Sequence, residues 1–196
     1  MMTTRKMIVL LIVAACISRI SAADTTEFQD PFAKQPRLDS EKQGYAIWGS
    51  RECLSLAGYD RGVGCKAPGS LKMDAGKLSN GKKITGFFVK YLPAEAGKKF
   101  NLMLKVRKKD LAETTVILAK ITLTGKNNSK KMSMRQCKLD PGSFEDGVWQ
   151  RILLSADIPS SDKLTEEPGV NIWFGVQGMT RGTVWFDDVE FFEEEK

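Results

Sequence analysis

The sequence GTVWFDDVEFF (residues 182–192) combines the β-branched and aromatic residues typical of a strand with two adjacent carboxylates at its centre. Successive side chains of a strand point to opposite faces, so Asp187 is predicted to share a face with Trp185 and Val189. Burying an unpaired charge is costly. The carboxylate is therefore either solvated at a sheet edge, or kept near the core because it binds a cation or accepts backbone N–H groups.

The rest of the chain has the same strand-forming character. Phe100, Leu102, Leu104 and Val106 alternate with mostly polar residues, as expected for a half-buried strand. No segment longer than a turn has the apolar spacing of an amphipathic helix, and Gly, Pro, Asn and Asp separate many short apolar runs. The sequence therefore predicts an all-β chain folded as an antiparallel β-sandwich.

Several short motifs narrow this prediction to a fold family. They are GSLKM (residues 69–73), AGKKFNL (96–102), GVWQRILL (147–154) and GTVWFDDVE (182–190). In this order they resemble motifs of the carbohydrate-binding modules of the family 4 and 9 group, apart from Ala96, where the family has Pro. The resemblance extends over residues 45–192 and implies a galactose-binding-like jelly roll.

The first residues have the features of an export signal rather than of a folded domain. Residues 1–23 contain basic Arg5 and Lys6, an apolar run too short to span a bilayer, and small residues before Asp24, as in a secretory signal peptide. A competing interpretation is a bacterial lipobox, in which Cys16 would be lipidated and would form the sole membrane attachment. Both predict a secreted or cell-surface (periplasmic or extracellular) protein. The polar residues 24–44 are predicted to be a leader, with the folded domain at 45–196.

Charge and composition exclude several classes of function. The net charge of +6 falls to about +3 without the basic residues of the signal, and the lysine pairs lie beside loop-forming residues, so no nucleic-acid partner is predicted. The chain has no histidine, which excludes Ser-His-Asp and Cys-His catalysis. Asp187 and Asp188 are adjacent on a strand and would point apart, a poor arrangement for glycoside hydrolysis. The protein is therefore predicted not to be an enzyme.

Three cysteines remain beyond the signal. Cys53 and Cys65 are close in sequence and flank a Gly-rich stretch, so the prediction is that they form a disulfide and that Cys137 is free.

Carbohydrate binding is the function that the resemblance implies, with a polysaccharide or oligosaccharide as the partner. Lectin-like sites combine an aromatic platform with planar hydrogen-bonding groups. Trp173 is the first platform candidate, because Ile172 and Phe174 would face the core and leave Trp173 and Gln177 outward together. The opposite register would make Trp173 a core residue.

Further candidates lie elsewhere in the chain. Tyr59 is in the Gly-rich stretch, and Asn101 and Arg107 share the polar face of their predicted strand. Trp149 and Trp185 are assigned to the core, as the matching family residues imply, and Trp48 is left open.

The alternative function is a surface-exposed module that uses the same jelly roll to bind another protein.

The resemblance also implies a structural calcium ion held between the first and last strands by the first aspartate of the closing motif, which here is Asp187. Calcium needs about six or more oxygen ligands, several of which can be backbone carbonyls. Gln29 stands where the family has Glu and removes one negative charge. Hydrogen bonds from N-terminal backbone amides to Asp187 are the alternative.

Overall fold

Short apolar runs with alternating burial form eleven β-strands in the computed structural model, which describes residues 26–76, 78, 82–124, 133–160 and 168–194. The elements are β1 Thr26–Asp30, β2 Ala46–Gly49, α1 Arg51–Leu56, β3 Ala57–Asp60, β4 Ser70–Asp74, β5 Ile84–Pro93, β6 Lys99–Lys109, β7 Val116–Thr124, β8 Ser133–Leu139, β9 Gln150–Asp157, β10 Gly169–Met179 and β11 Thr183–Glu193. One 3-10 turn, Pro141–Ser143, precedes β9. The predicted signal peptide and Cys16 lie outside the described residues.

The strands pair into two antiparallel sheets. The six-stranded sheet has the order β3-β4-β11-β6-β9, and β1 pairs along the second half of β11. The five-stranded sheet has the order β2-β5-β10-β7-β8. The predicted antiparallel sandwich is confirmed. No helix among the described residues has the length and apolar character needed to cross a membrane.

The core lies between the sheets and is filled by alternate residues of the central strands. Phe100, Leu102, Leu104 and Val106 of β6 are all buried, as the alternation predicts. Aromatic rings join the two layers, because the Phe174 centroid in β10 lies 5.2 Å from that of Phe186 in β11.

A bulge divides the closing strand. The pairing of β11 with β6 shifts between Asp187 and Glu190, and Asp188 has a φ of 47°, in the left-handed region. Strict alternation is lost there, so Phe186 and Val189 both face the core. Trp185 faces outward and donates a hydrogen bond from Nε1 to Asp60 Oδ2 at 3.0 Å.

Two tryptophan assignments are therefore wrong. Trp185 and Trp149 are half-buried and lie outside the hydrophobic core. The prediction that Asp187 shares a face with Val189 is also wrong, because the bulge lies between them.

The stretch predicted to be a polar leader contains parts of the sandwich. Its strand β1 pairs with β11, and Phe32 is fully buried with its ring 5.5 Å from that of Tyr45. Helix α1, which was not predicted from the sequence, packs beside β5. The two elements approach so closely that a Cβ at Gly86 would lie 1.9 Å from Cys53 Sγ, so the position requires glycine.

Cys53, Cys65 and Cys137, the cysteines of the described residues, are free thiols. Helix α1 turns Cys53 into the core, whereas Cys65 lies in the β3–β4 loop over the outer surface of the six-stranded sheet, beside Asp187. The predicted Cys53–Cys65 disulfide is therefore wrong, and the prediction that Cys137 is free is confirmed.

Candidate functional site

The outer face of the five-stranded sheet carries an apolar patch that is separate from the core. Phe87, Val89 and Leu118 are buried together on this face, with Trp173 packed against them. Trp48, whose side chain is 54% exposed, lies beside them on the neighbouring strand β2. We call these five residues the aromatic patch. Contiguous apolar patches on a protein surface often mark binding sites, whereas single exposed apolar side chains are common and need no explanation.

Strand register explains why these side chains meet. Residue pairs that face each other across antiparallel strands point to the same side of the sheet. Trp173 pairs with Val89 on one neighbour and Lys120 on the other, while Phe87 pairs with Trp48. The large rings therefore converge on two adjacent rows of the sheet.

The ring of Trp173 is held in a fixed orientation. Its Nε1 donates a hydrogen bond to Thr122 Oγ1 at 2.9 Å. Its centroid lies 6.0 Å from that of Trp48, with the planes tilted by 58°, and 6.2 Å from that of Phe87 in an edge contact. These contacts fix the plane that a ligand would meet.

Lys120 lies over this ring. Its Nζ is 4.1 Å from the Trp173 centroid and 5.8 Å from that of Phe87, both within cation–π range. Burial lowers the pKa of the Lys120 ammonium, and no carboxylate of the described residues opposes that effect. A sugar stacked on the same side of the Trp173 ring would have to displace the lysine, whereas Trp48 has a largely accessible ring.

The predicted site residues divide between the two sheets. Ile172, Phe174 and Val176 face the core, so the predicted register of β10 is confirmed, and Trp173 and Gln177 lie on the outer face. Gln177 is exposed, next to Val116 of β7. A role for either residue in carbohydrate binding stays a prediction.

The other three candidates lie away from the aromatic patch. Tyr59 is on strand β3 rather than in a loop, and its hydroxyl donates to the Phe32 carbonyl at 2.8 Å, which is a packing role. Asn101 and Arg107 share the outer face of β6, in the opposite sheet. Asn101 is 7% exposed and accepts a hydrogen bond from Ser155 Oγ at 2.5 Å. The Arg107 guanidinium lies 5.6 Å from the Trp185 centroid. These residues therefore do not form one site with Trp173.

Sequence reasoning missed the other members of the patch. Trp48 could have been placed by the alternation of its strand, because Ile47 packs against the core and its neighbour must then face outward. Phe87 and Leu118 carried no such signal, since they lie in apolar runs in which both faces are hydrophobic.

A cleft of about 220 Å³ lies at the edge of the six-stranded sheet. It is lined by Ser55, Leu56, Ala57, Gly58, Lys72 and Asp74. No aromatic ring lines it, so it offers no platform for a sugar.

Asp187 lies at a junction between the closing strand and the loop that carries Cys65. Its Oδ2 accepts the backbone N–H of Cys65 at 2.5 Å and its Oδ1 accepts that of Asp188 at 2.7 Å. Burial raises the pKa of the Asp187 carboxyl to about 6, against the lowering effect of these two hydrogen bonds; the charges of Asp188 and Asp30 raise it further.

These residues fit the predicted calcium ion poorly. Both oxygens of Asp187 accept backbone N–H groups, and the Lys66 ammonium lies 3.3 Å from Asp188 Oδ2, where it already supplies positive charge. Gln29 donates its side-chain amide to Glu190 at 2.9 Å instead of facing Asp187. Among the described residues, no group of three or more Asp, Glu, His or Cys side chains is placed to hold a metal. Calcium at Asp187 stays a prediction.

Comparisons with known proteins agree on the fold. No family model matches the chain, and no curated protein matches its sequence. Among solved structures, a carbohydrate-binding module of family 4 is similar with a TM-score of 0.55 at 17% identity, covering 84% of this chain and 97% of that chain. The tandem CBM22-1–CBM22-2 domain of Paenibacillus barcinonensis Xyn10C gives 0.57 at 11% identity, covering 86% and 50%.

A third solved structure, TmCBM61 in complex with β-1,4-galactotriose, gives a TM-score of 0.52 at 11% identity, covering 76% of this chain and 88% of that chain. At these identities the similarity concerns architecture. The chain therefore has the jelly-roll fold of carbohydrate-binding modules, family 4 among them.

Proposed function

We propose that this protein is a non-catalytic carbohydrate-binding domain and that the aromatic patch on the five-stranded sheet is its binding surface. The observation that carries the proposal is the pair of tryptophans, Trp48 and Trp173, on one outer face beside exposed polar side chains. Sugars present apolar C–H faces that pack on aromatic rings, and hydroxyls that need hydrogen-bonding partners. Gln177 is exposed on the same strand as Trp173, and Gln136 is exposed on β8, where it pairs with Lys120. Amide groups can both donate and accept hydrogen bonds.

The similar solved structures support this proposal, because three of them are carbohydrate-binding modules and one holds a bound galactotriose. The absence of histidine from the whole chain agrees with a binding role rather than hydrolysis by a histidine-dependent mechanism. The features of residues 1–23 support export through a cleaved signal peptide, with lipidation of Cys16 as the alternative. A glycan outside the cell would then be the accessible ligand.

Tryptophan substitutions test the proposal. Trp173→Ala and Trp48→Ala should each weaken glycan binding by more than about 1 kcal/mol, the loss expected when an aromatic anchor is removed. Trp185→Ala is the matched control, because Trp185 is also half-buried and outward but lies on the opposite sheet. Binding would be measured with a glycan array and then by tryptophan fluorescence with soluble glucan, xylan and mannan.

Each result has a distinct meaning. Weaker binding by both patch variants, with unchanged unfolding midpoints and an unaffected control, supports the proposal. Equal weakening by Trp185→Ala would move the site to the other sheet. A protein partner in a pull-down, with no response to any glycan, would favour the interaction module instead.

A further inference from the structure

The two sheets differ in the placement of their acidic residues. The strands of the five-stranded sheet, β2, β5, β7, β8 and β10, contain no Asp or Glu at all. Every strand of the six-stranded sheet except β6 contains at least one. The face that bears the aromatic patch is thus built from strands that have no negative side chains.

Ammonium groups border the patch on this sheet. Lys120 lies over the Trp173 ring, and exposed Lys138 pairs with Leu118 of the patch, so it points to the same side. At the other end of the face, Lys42 Nζ lies 5.8 Å from the ring centroid of Tyr91.

Neither Lys120 nor Lys138 forms an ion pair with a carboxylate in the described part of the chain. The contrast is with lysines of the opposite sheet, where Lys72 pairs with Asp60 at 3.6 Å and Lys99 with Glu194 at 2.8 Å. Lys108 of that sheet likewise pairs with Asp146. The lysines around the patch keep their charge available for a ligand.

We propose that the ligand of the aromatic patch is an anionic polysaccharide, whose sugar rings stack on the tryptophans and whose acidic groups pair with Lys120 and Lys138. The inference rests on the proposed carbohydrate-binding function and deepens it. Uronate carboxylates are the simplest such groups, and sulfate esters offer the same charge. An acidic group is a better partner for Lys120 than a hydroxyl, because charge-assisted hydrogen bonds are stronger than neutral ones.

Strands without carboxylates also avoid repelling an acidic chain that lies across them. Like charges brought together across an interface cost binding energy, so a neutral glycan would tolerate acidic residues near the platform but an acidic glycan would not. The absence of Asp and Glu from five strands is what the proposal explains and a neutral ligand does not require.

Matched polymers test the proposal. The purified protein would be titrated with polygalacturonate, alginate and glucuronoxylan, each beside its carboxyl-reduced form, which keeps the backbone and loses the charge. Dextran and dextran sulfate form the sulfate arm, and single-stranded polyuridylate tests for nucleic acid. At low salt the acidic form of at least one polymer should bind about tenfold more tightly than its neutral form, the size of one charge-assisted contact. This preference should shrink as salt is added.

Variants connect the preference to the proposed residues. Lys120→Gln should bring the acidic and neutral affinities to within about threefold of each other, since it removes the charge above Trp173. Lys109→Gln is the matched control, because Lys109 is an exposed strand lysine on the opposite sheet, and it should leave the ratio unchanged.

The outcomes separate this inference from the proposed function. Equal binding of acidic and neutral forms, with no effect of Lys120→Gln, overturns the inference and leaves carbohydrate binding in place. No binding of any polysaccharide overturns both. Polyuridylate binding that depends on Lys120, without glycan binding, also overturns both and identifies the face as a nucleic-acid surface.

Discussion

Replacing Asp187 by alanine should destabilise the domain, because the side chain satisfies two backbone donors in a place that water does not reach. Asp187 is 1% exposed and accepts the N–H groups of Cys65 and Asp188. Each buried donor left without a partner costs about 1–3 kcal/mol. Burial raises the pKa of Asp187 to about 6, so at pH 7 the ionised carboxylate has a desolvation cost that alanine removes. Two such donors would cost about 2–6 kcal/mol together. Because alanine also removes the desolvation cost of the carboxylate, we expect the lower end of that range, a net loss of about 2 kcal/mol of unfolding free energy.

Asp188→Asn is the matched comparison one residue along. Asp188 is 2% exposed, and its partner is the Lys66 ammonium, whose side chain is 65% exposed. Removing the Asp188 charge leaves the Lys66 ammonium in solvent, so no buried charge is left unpaired and the loss should be that of a surface pair. Asparagine tolerates the left-handed φ of 47° at this position, so the variant tests the charge and not the backbone. The expected loss is below about 1 kcal/mol.

Urea unfolding followed by tryptophan fluorescence at pH 7 would compare the two variants with the wild-type protein. Equal m-values would show that the midpoint differences report stability. If Asp188→Asn cost as much as Asp187→Ala, the hydrogen bond from the Cys65 N–H to Asp187 would not be what holds the β3–β4 loop to the closing strand, and the reasoning would be refuted.

Three further predictions concern the same carboxylate and the cysteines. Addition of a calcium chelator should leave the melting temperature unchanged, because Asp187 is already held by amides; a fall that calcium reverses would instead confirm the predicted calcium site. The pKa of Asp187 rises from 3.8 to about 6 on folding, so its contribution to stability is complete below about pH 4 and is lost as the pH rises through 6. Asp187→Asn should flatten that part of the curve of stability against pH, and an unchanged curve would contradict the shift. Mass mapping should find no disulfide among Cys53, Cys65 and Cys137, and Cys53, whose pKa burial raises to about 11, should react with iodoacetamide more slowly than Cys65 or Cys137; a bridge from Cys65 to either of the other two would contradict the fold of the β3–β4 loop.

Local alternation was a reliable guide where one face of a strand is buried. The residues of β6 and β10 predicted to face the core do so, because a one-residue slip would expose every apolar side chain of the strand. Alternation does not tell which sheet a strand joins. Asn101 and Trp173 were both correctly placed on the outward side of their strands, yet they lie on opposite faces of the molecule because pairing is set by contacts distant in sequence.

The errors occurred where the backbone departs from a regular strand. The bulge at Asp187 breaks the period of two, and a single extra residue leaves no mark in the composition of the segment. Helix α1 has six residues, too few for an apolar period to be recognised. It also separates Cys53 from Cys65 in space, so closeness in sequence gave the wrong pairing.

The arrangement of the sandwich separates the residues that stabilise it from those proposed to bind. The hydrogen bonds of Asp187 and the pairing of β1 with β11 are in the six-stranded sheet, whereas the aromatic patch and its lysines stand on the outer face of the other sheet. The inward residues of β10, such as Phe174, pack in the core, and its outward residues meet solvent or the patch. Substitutions at Trp48 or Lys120 should therefore change what the protein binds with little effect on folding, because both side chains stand on the outer surface, where substitutions usually change stability little.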